Sequence, residues 1–203
     1  MSNRGVVYIA YGHTAQIEAN MAIGFGHGFH GLPIRIIGDN SIQAYLASDT
    51  EDRPYWQAAR RAKVALYDLS PFDQTLYVDA DTRIQGDVSV GFKLLDDGYD
   101  LVIIPSANQG SDVLWNVAAD ERQLTFEEVG FRPLQLQAGV MWFRKSDATR
   151  QFFAAWAKEW ARFEGQDQAA FTRALVQSPV KVWLLGRPFN GGAVIQHWFG
   201  ACR

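Results

Sequence analysis

Short apolar runs alternating with helical stretches predict an α/β fold with a mostly parallel central sheet flanked by helices. Three observations carry this. Largely apolar runs recur at residues 6–10, 75–78, 101–104 and 139–143, as strands buried on both faces require. Stretches with helical spacing separate most of them. The 203 residues suffice for one well-packed domain and are too few for two comfortable ones, so 1–203 are expected to form a single domain.

In order, residues 6–10 form the first strand. Residues 16–25 have helical spacing, with Ile17, Met21 and Phe25 on one face. A second strand over 33–37 is closed by Gly38, Asp39 and Asn40. Residues 55–69 form a helix that Ser70 and Pro71 stop. The strand at 75–78 runs into Asp79-Ala80-Asp81. Residues 90–95 form a short helix, and 101–104 a buried strand before Pro105. Residues 106–132 read as loops and short helices over the site. After the strand at 139–143, Ser146 caps a long helix reaching Phe163, with Phe152, Phe153, Trp156, Trp160 and Phe163 on one face. A helix over 166–176, a strand over 180–185 and a short apolar strand before His197 complete the chain.

Hydrophobic residues make up 48% and charged residues 20%, which fits a globular chain rather than a disordered one. Aromatic residues reach 13%, enough to expect some rings to line a site. A net charge of −3 gives no support for a nucleic-acid partner, apart from a local cluster of Arg53, Arg60, Arg61 and Lys63. Cys202 is the sole cysteine, so no intrachain disulfide forms. The apolar stretch 6–11 is too short for a signal peptide, and no window reaches the length of a membrane span. A soluble, cytoplasmic protein is expected, and a homodimer is compatible with the sequence.

Asp79-Ala80-Asp81 is the only Asp-x-Asp in the chain. Two carboxylates at the end of a buried strand cannot both ionise cheaply without a cation. Open parallel sheets bind ligands at the carboxyl ends of their strands. The pair therefore points to a divalent metal, or something that replaces one, holding a phosphorylated ligand. The structural alternative is a turn in which Asp bonds its own backbone. Gly26-His27-Gly28-Phe29-His30-Gly31 matches G-x-G-x-x-G, but it follows a helical stretch and precedes Pro33, so it reads as a turn. His13, His27 and His30 read as loop or surface residues.

Several segments together resemble the retaining glycosyltransferases of family 8, the glycogenin-like group with a GT-A (Rossmann-like) nucleotide-sugar fold. Residues 63–69 lead to Leu76-Tyr77-Val78-Asp79-Ala80-Asp81-Thr82, and Lys63 falls where the family has a basic residue. Gln137-Ala138-Gly139-Val140 is similar to its Asn-Ser-Gly-Val strand. Gly165-Gln166-Asp167-Gln168 resembles its Gly-Gly-Asp-Gln turn, and Leu185-Gly186-Arg187-Pro188-Phe189-Asn190 its Leu-Pro-x-x-Phe-Asn segment. His197-Trp198-Phe199-Gly200 resembles its His-Phe-x-Gly, whose histidine is a metal ligand. The family's diphosphate-binding Lys lies further on, and Arg203 stands where it would be. The turn at Ala10-Tyr11-Gly12-His13 departs from the family's Thr-x-Asp type.

The resemblance implies a UDP-sugar donor, a hexose transferred to a hydroxyl acceptor, and retention of anomeric configuration. Asp79, Asp81 and His197 would hold Mn2+, with Mg2+ as second choice. Asp167, Gln137 and Lys63 are the catalytic candidates. Ala10, Tyr11, Lys63, Asp79, Ala80, Asp81, Gln137, Asp167, Gln168, Gly200 and Arg203 are the donor-binding candidates. Tyr11 would stack on the base or join the core, and Asp167 would also serve as an N-cap. The acceptor stays open between saccharide, protein and hydroxylated nucleobase. Two other classes compete: a haloacid-dehalogenase-type phosphatase, which also puts Asp-x-Asp after an apolar strand, and a non-catalytic nucleotide-sugar-binding protein.

Overall fold

A computed structural model describes residues 3–38, 55–107 and 109–198. Its strands are β1 (Arg4–Ala10), β2 (Ile34–Gly38), β3 (Gln74–Asp79), β4 (Thr82–Ile84), β5 (Leu101–Pro105), β6 (Leu136–Arg144), β7 (Val182–Leu184) and β8 (Ile195–His197). Its helices are α1 (His13–Phe25), α2 (Tyr55–Val64), α3 (Leu66–Leu69), α4 (Ser89–Asp96), α5 (Ala119–Val129), α6 (Asp147–Trp160) and α7 (Asp167–Gln177). Six strands make one sheet in the order β2-β1-β3-β6-β5-β7. Strand β6 runs antiparallel to both its neighbours, and the remaining pairs are parallel. The mostly parallel sheet is thus as expected, with β6 as its exception. That reversal matters: the start of β6 lies beside the carboxyl ends of β3 and β5.

The pleat sends alternate residues to opposite faces. On one face Val7, Ile9, Tyr77, Met141 and Phe143 pack with Phe152, Trp156 and Phe171 of α6 and α7. On the other, Val6, Tyr8, Leu76, Val78 and Trp142 pack with Phe92 and Leu95 of α4. Both faces being covered explains the continuous apolar runs of β1, β3 and β5. Each fully buried large side chain contributes about 1.5–3 kcal/mol relative to exposure. A separate two-stranded ribbon pairs β4 with β8 in antiparallel register, Thr82 opposite His197 and Ile84 opposite Ile195.

Several expectations change. Residues 55–69 form two helices, α2 and α3, separated at Ala65. The stripe of Ile17, Met21 and Phe25 faces solvent, because α1 rests on the sheet through the small residues Ala19 and Ala22. Residues 106–132 contain an eleven-residue helix, α5, stopped by Gly130 at φ 80°. Helix α6 ends at Trp160, so Phe163 falls beyond it and is exposed. The glycine-rich stretch 26–31 is a turn before β2, with the His27 and Gly28 amides donating to Ile84 O. The basic cluster is dispersed: Arg60 donates to Gly165 O and Gln166 Oε1, while Arg53 lies outside the described residues. No described helix is long and apolar enough to cross a membrane.

Asp100 ties three elements at the other edge of the sheet. It accepts from Arg144 Nε at 3.0 Å, Ser146 Oγ at 3.0 Å and the Lys181 amide at 3.1 Å. Ser146 Oγ accepts in turn from the Thr149 amide, capping α6 as expected. Burial alone would raise the Asp100 pKa, but the hydrogen bonds from Lys181, Arg144 and Ser146 outweigh it and hold it below the ordinary value. Its stabilising effect is therefore full above about pH 4 and is lost as pH falls through the depressed value. Asp100→Asn is expected to cost about 1–3 kcal/mol at neutral pH. In thermal denaturation across a pH series, its deficit against the unsubstituted protein should shrink in acid.

Candidate functional site

Asp79 closes β3, and Asp81 sits in the tight turn before β4. Thr82 Oγ1 donates to Asp79 O at 2.5 Å and secures that turn. The ribbon then carries His197 across, since Thr82 pairs with it directly and the Trp198 amide donates to Asp81 O at 3.2 Å. His197 Nε2 stands 3.1 Å from Asp81 Oδ1 and 3.8 Å from Asp79 Oδ2. One potential ligand atom from each of Asp79, Asp81 and His197 lies within 4.8 Å of the other two.

Asn190 orients the imidazole. His197 Nδ1 lies 2.7 Å from Asn190 Oδ1, and both residues are buried. An amide oxygen accepts, so Nδ1 carries the proton and the Nε2 lone pair faces the carboxylates. That arrangement is repulsive unless a second proton or a cation lies between them. Gly139 leaves the necessary space: a Cβ there would sit 2.5 Å from Asp79 Oδ2 and 2.6 Å from His197 Cε1. Two hard oxygens, an imidazole with its far nitrogen fixed and a cleared approach fit a divalent cation.

Lys63, on α2, flanks Asp79 from the other side. Its Nζ is 2.9 Å from Asp79 Oδ1 and 3.2 Å from Asp167 Oδ2. Burial pushes the ammonium pKa down, but the charges of Asp167 and Asp79 outweigh that and raise it above the ordinary lysine value. Tyr77 donates its hydroxyl to the same Asp79 Oδ1 at 2.5 Å. Burial first, then the Asp79 charge, raise the Tyr77 pKa well above normal, so it stays a donor. Asp79 thus commits Oδ1 to Lys63 and Tyr77 and turns Oδ2 toward His197. Asp167 is the first residue of α7 and does not cap it, because Gln166 holds the cap position. Its buried Oδ2 is within ion-pair distance of Lys63 but makes no well-directed hydrogen bond.

A chain of amides adjoins this cluster. Gln168 Nε2 donates to Gln137 Oε1 at 2.8 Å, and Gln135 Nε2 donates to Gln168 Oε1 at 2.8 Å. Ala10 and Tyr11 lie at the same sheet edge, because Ile9 pairs with Asp79. Tyr11 is half-buried against the core, and Ala80 is half-buried between the two acids. Contacts therefore join Lys63, Asp79, Asp81, Asp167 and His197 directly and join Gln137 to Gln168. Gly200 and Arg203 lie outside the described residues, as does Cys202. A separate cavity of about 300 Å³, lined by Arg61, Tyr67, Phe153 and Trp160 among others, includes none of these groups.

Sequence reasoning missed Tyr77, Asn190 and Gln135. Tyr77 had a signal: it precedes Asp79 by two residues in β3, the spacing that shares a strand face. Asn190 belongs to a segment whose resemblance was noted without a role for its amide. Strand β4, which brings His197 home, is three residues long and carries no pattern.

No family model matches the chain, and no curated protein matches it. Solved structures do. Mouse xyloside xylosyltransferase 1 in its apo form is similar at 12% identity and a TM-score of 0.55, over 91% of this chain and 85% of that one. The bifunctional glycosyltransferase WbbM is similar at 15% identity and a TM-score of 0.59, over 91% of this chain and 39% of its own. The galactosyltransferase LgtC, in complex with donor and acceptor sugar analogues, is similar at 16% identity and a TM-score of 0.51, over 92% of this chain and 74% of that one. The chain has the GT-A type fold of these proteins.

If Asn190 fixes the imidazole, Asn190→Ala should weaken Mn2+ binding about 10–100-fold in titration calorimetry. Its thermal stability without metal should fall much less than its affinity.

Proposed function

We propose that this chain is a metal-dependent glycosyltransferase that moves a hexose from a UDP-sugar to a hydroxyl acceptor with retention, as a single domain of the family 8 type. The observation that carries this reading is the cluster of Asp79, Asp81 and His197 at the carboxyl edge of a sheet with GT-A topology. The three residues would hold Mn2+, or Mg2+ in its place. Bound there, a divalent ion supplies Lewis-acid neutralisation of the charge that builds on a departing diphosphate.

The chain's own residues do the rest. Lys63, held charged between two carboxylates, keeps Asp79 aligned and sets a positive charge beside the diphosphate. Asp167 pairs with Lys63 through its buried Oδ2, and its carboxylate would serve as an acceptor for a sugar hydroxyl. Gln137 and Gln168 align one another and offer amide groups to the same ring. Ala10 and Tyr11 would face the base, and Gly200 and Arg203 the diphosphate. Because Lys63 pairs with Asp167, this carboxylate suits holding a hydroxyl better than attacking the anomeric carbon. Asp79 Oδ1 accepts from Tyr77 and Lys63 while Oδ2 turns toward His197, which supports a ligand role for this carboxylate over that of a phosphatase nucleophile.

The test is UDP binding by thermal shift with and without Mn2+, followed by release of UDP from a panel of UDP-sugars. Mn2+ and UDP together should raise the melting temperature more than either alone. Asp81→Ala should abolish that gain and lower turnover by about 100-fold or more. Metal-independent UDP binding with an active Asp81→Ala variant, or turnover of p-nitrophenyl phosphate, would overturn the proposal.

A further inference from the structure

We infer that Gln135 is a positioning residue that sets the hydrogen-bonding sense of the amide chain, so that Gln137 keeps its NH2 group, and not its oxygen, for the donor sugar. This inference rests on the transferase reading above. An amide side chain can turn over and exchange its oxygen for its nitrogen, so a chain of three could run in either sense. A fixed donor at one end removes that freedom.

Leu114 provides it. This residue is fully buried, and its backbone N–H can only donate. It donates to Gln135 Oε1 at 2.7 Å. Gln135 is buried too, so turning its amide over would set two donors against each other with no water to relieve them. Its Nε2 therefore faces onward and donates to Gln168 Oε1 at 2.8 Å. Gln168 is turned in the same sense, with Nε2 donating to Gln137 Oε1 at 2.8 Å. Gln137 thus spends its oxygen inside the chain. Gln109 holds the backbone of Gln135 in place, with Nε2 donating to its carbonyl at 2.8 Å and Oε1 accepting from its N–H at 3.1 Å.

The far end of the chain adjoins the site. Gln168 directly follows Asp167 at the start of α7. Gln137 lies two residues before Gly139 in β6, and Gly139 packs against Asp79 and His197. The sense of the chain then decides what a UDP-sugar meets. Its ring, glycosidic and phosphate oxygens carry no hydrogen and only accept, so an NH2 group suits them and an amide oxygen repels them. Gln135 acts on that choice through Gln168, without touching the metal-binding cluster.

The test has two arms. In isotope-labelled protein, NMR couplings across hydrogen bonds run from the donor nitrogen to the accepting carbonyl carbon. They are expected from the Leu114 nitrogen to the Gln135 side-chain carbonyl, from Gln135 Nε2 to that of Gln168, and from Gln168 Nε2 to that of Gln137. Couplings in the opposite sense, or none, overturn the inference. The second arm is UDP release from the UDP-sugar panel. Gln135→Glu keeps an acceptor for Leu114 but, when ionised, has no proton for Gln168, so it should be about tenfold slower at about pH 8. Burial should raise the pKa of the introduced carboxyl, and once protonated it donates again, so its rate relative to the unsubstituted protein should recover as pH falls toward about 5.5. Gln135→Met should be slow at every pH. The Mn2+ and UDP thermal shift should be the same in all three proteins. Full activity in either variant, or a Gln135→Glu deficit that acid does not relieve, overturns the positioning role. If the unsubstituted protein shows neither thermal shift nor UDP release, the transferase reading fails and the role toward the donor falls with it, whereas the couplings still decide the sense of the chain.

Discussion

Two carboxylates held at the end of a buried strand repel each other, and much of the surrounding structure answers that repulsion. Asp79 is engaged on one oxygen by Lys63 and Tyr77, which leaves the other turned toward His197 in a cluster with Asp81 that could hold a cation. Each supporting element serves this arrangement. Reversed strand β6 brings Gly139 past the acids without a side chain, and α7 sets Asp167 opposite Asp79 across Lys63. The ribbon of β4 and β8 supplies the imidazole.

The built-in ammonium has an energetic meaning. A buried acid pair with no internal counter-charge would make folding depend on the ion. Lys63, shared between Asp79 and Asp167, already offsets part of that charge. A cation bound there would add its free energy to a site that exists beforehand. Solved structures at 12–16% identity share the backbone topology with this chain. At that distance the chemistry must be argued from this chain's own side chains.

Much of this was legible in the sequence, for physical reasons. Strands buried on both faces announce themselves as apolar runs, so β1, β3 and β5 were found within two residues of their ends, while the run of 139–143 began three residues after the start of β6. Ser146 was legible as a cap because its side chain and the following periodicity agree. What stayed hidden has no local signature. Strand direction in β6 is set by connections, not composition. Helix α1 carries an apolar stripe, yet packs through Ala19 and Ala22, because close approach to a sheet favours small residues over large ones. Within the site, Asp79, Asp81 and His197 could be singled out because acids and histidines are few and chemically conspicuous. Tyr77 was hinted at by its spacing from Asp79, whereas Gln135 and Asn190 act by positioning others, a role that only their contacts reveal.

The ribbon has a consequence for biosynthesis. His197 is translated long after the acids it faces, whereas Lys63 and Tyr77 precede them. On the ribosome, the strand bearing Asp79 and Asp81 emerges with its lysine guard in hand and its histidine still unmade. Capture of a divalent ion by the full set would therefore wait until β8 pairs with β4.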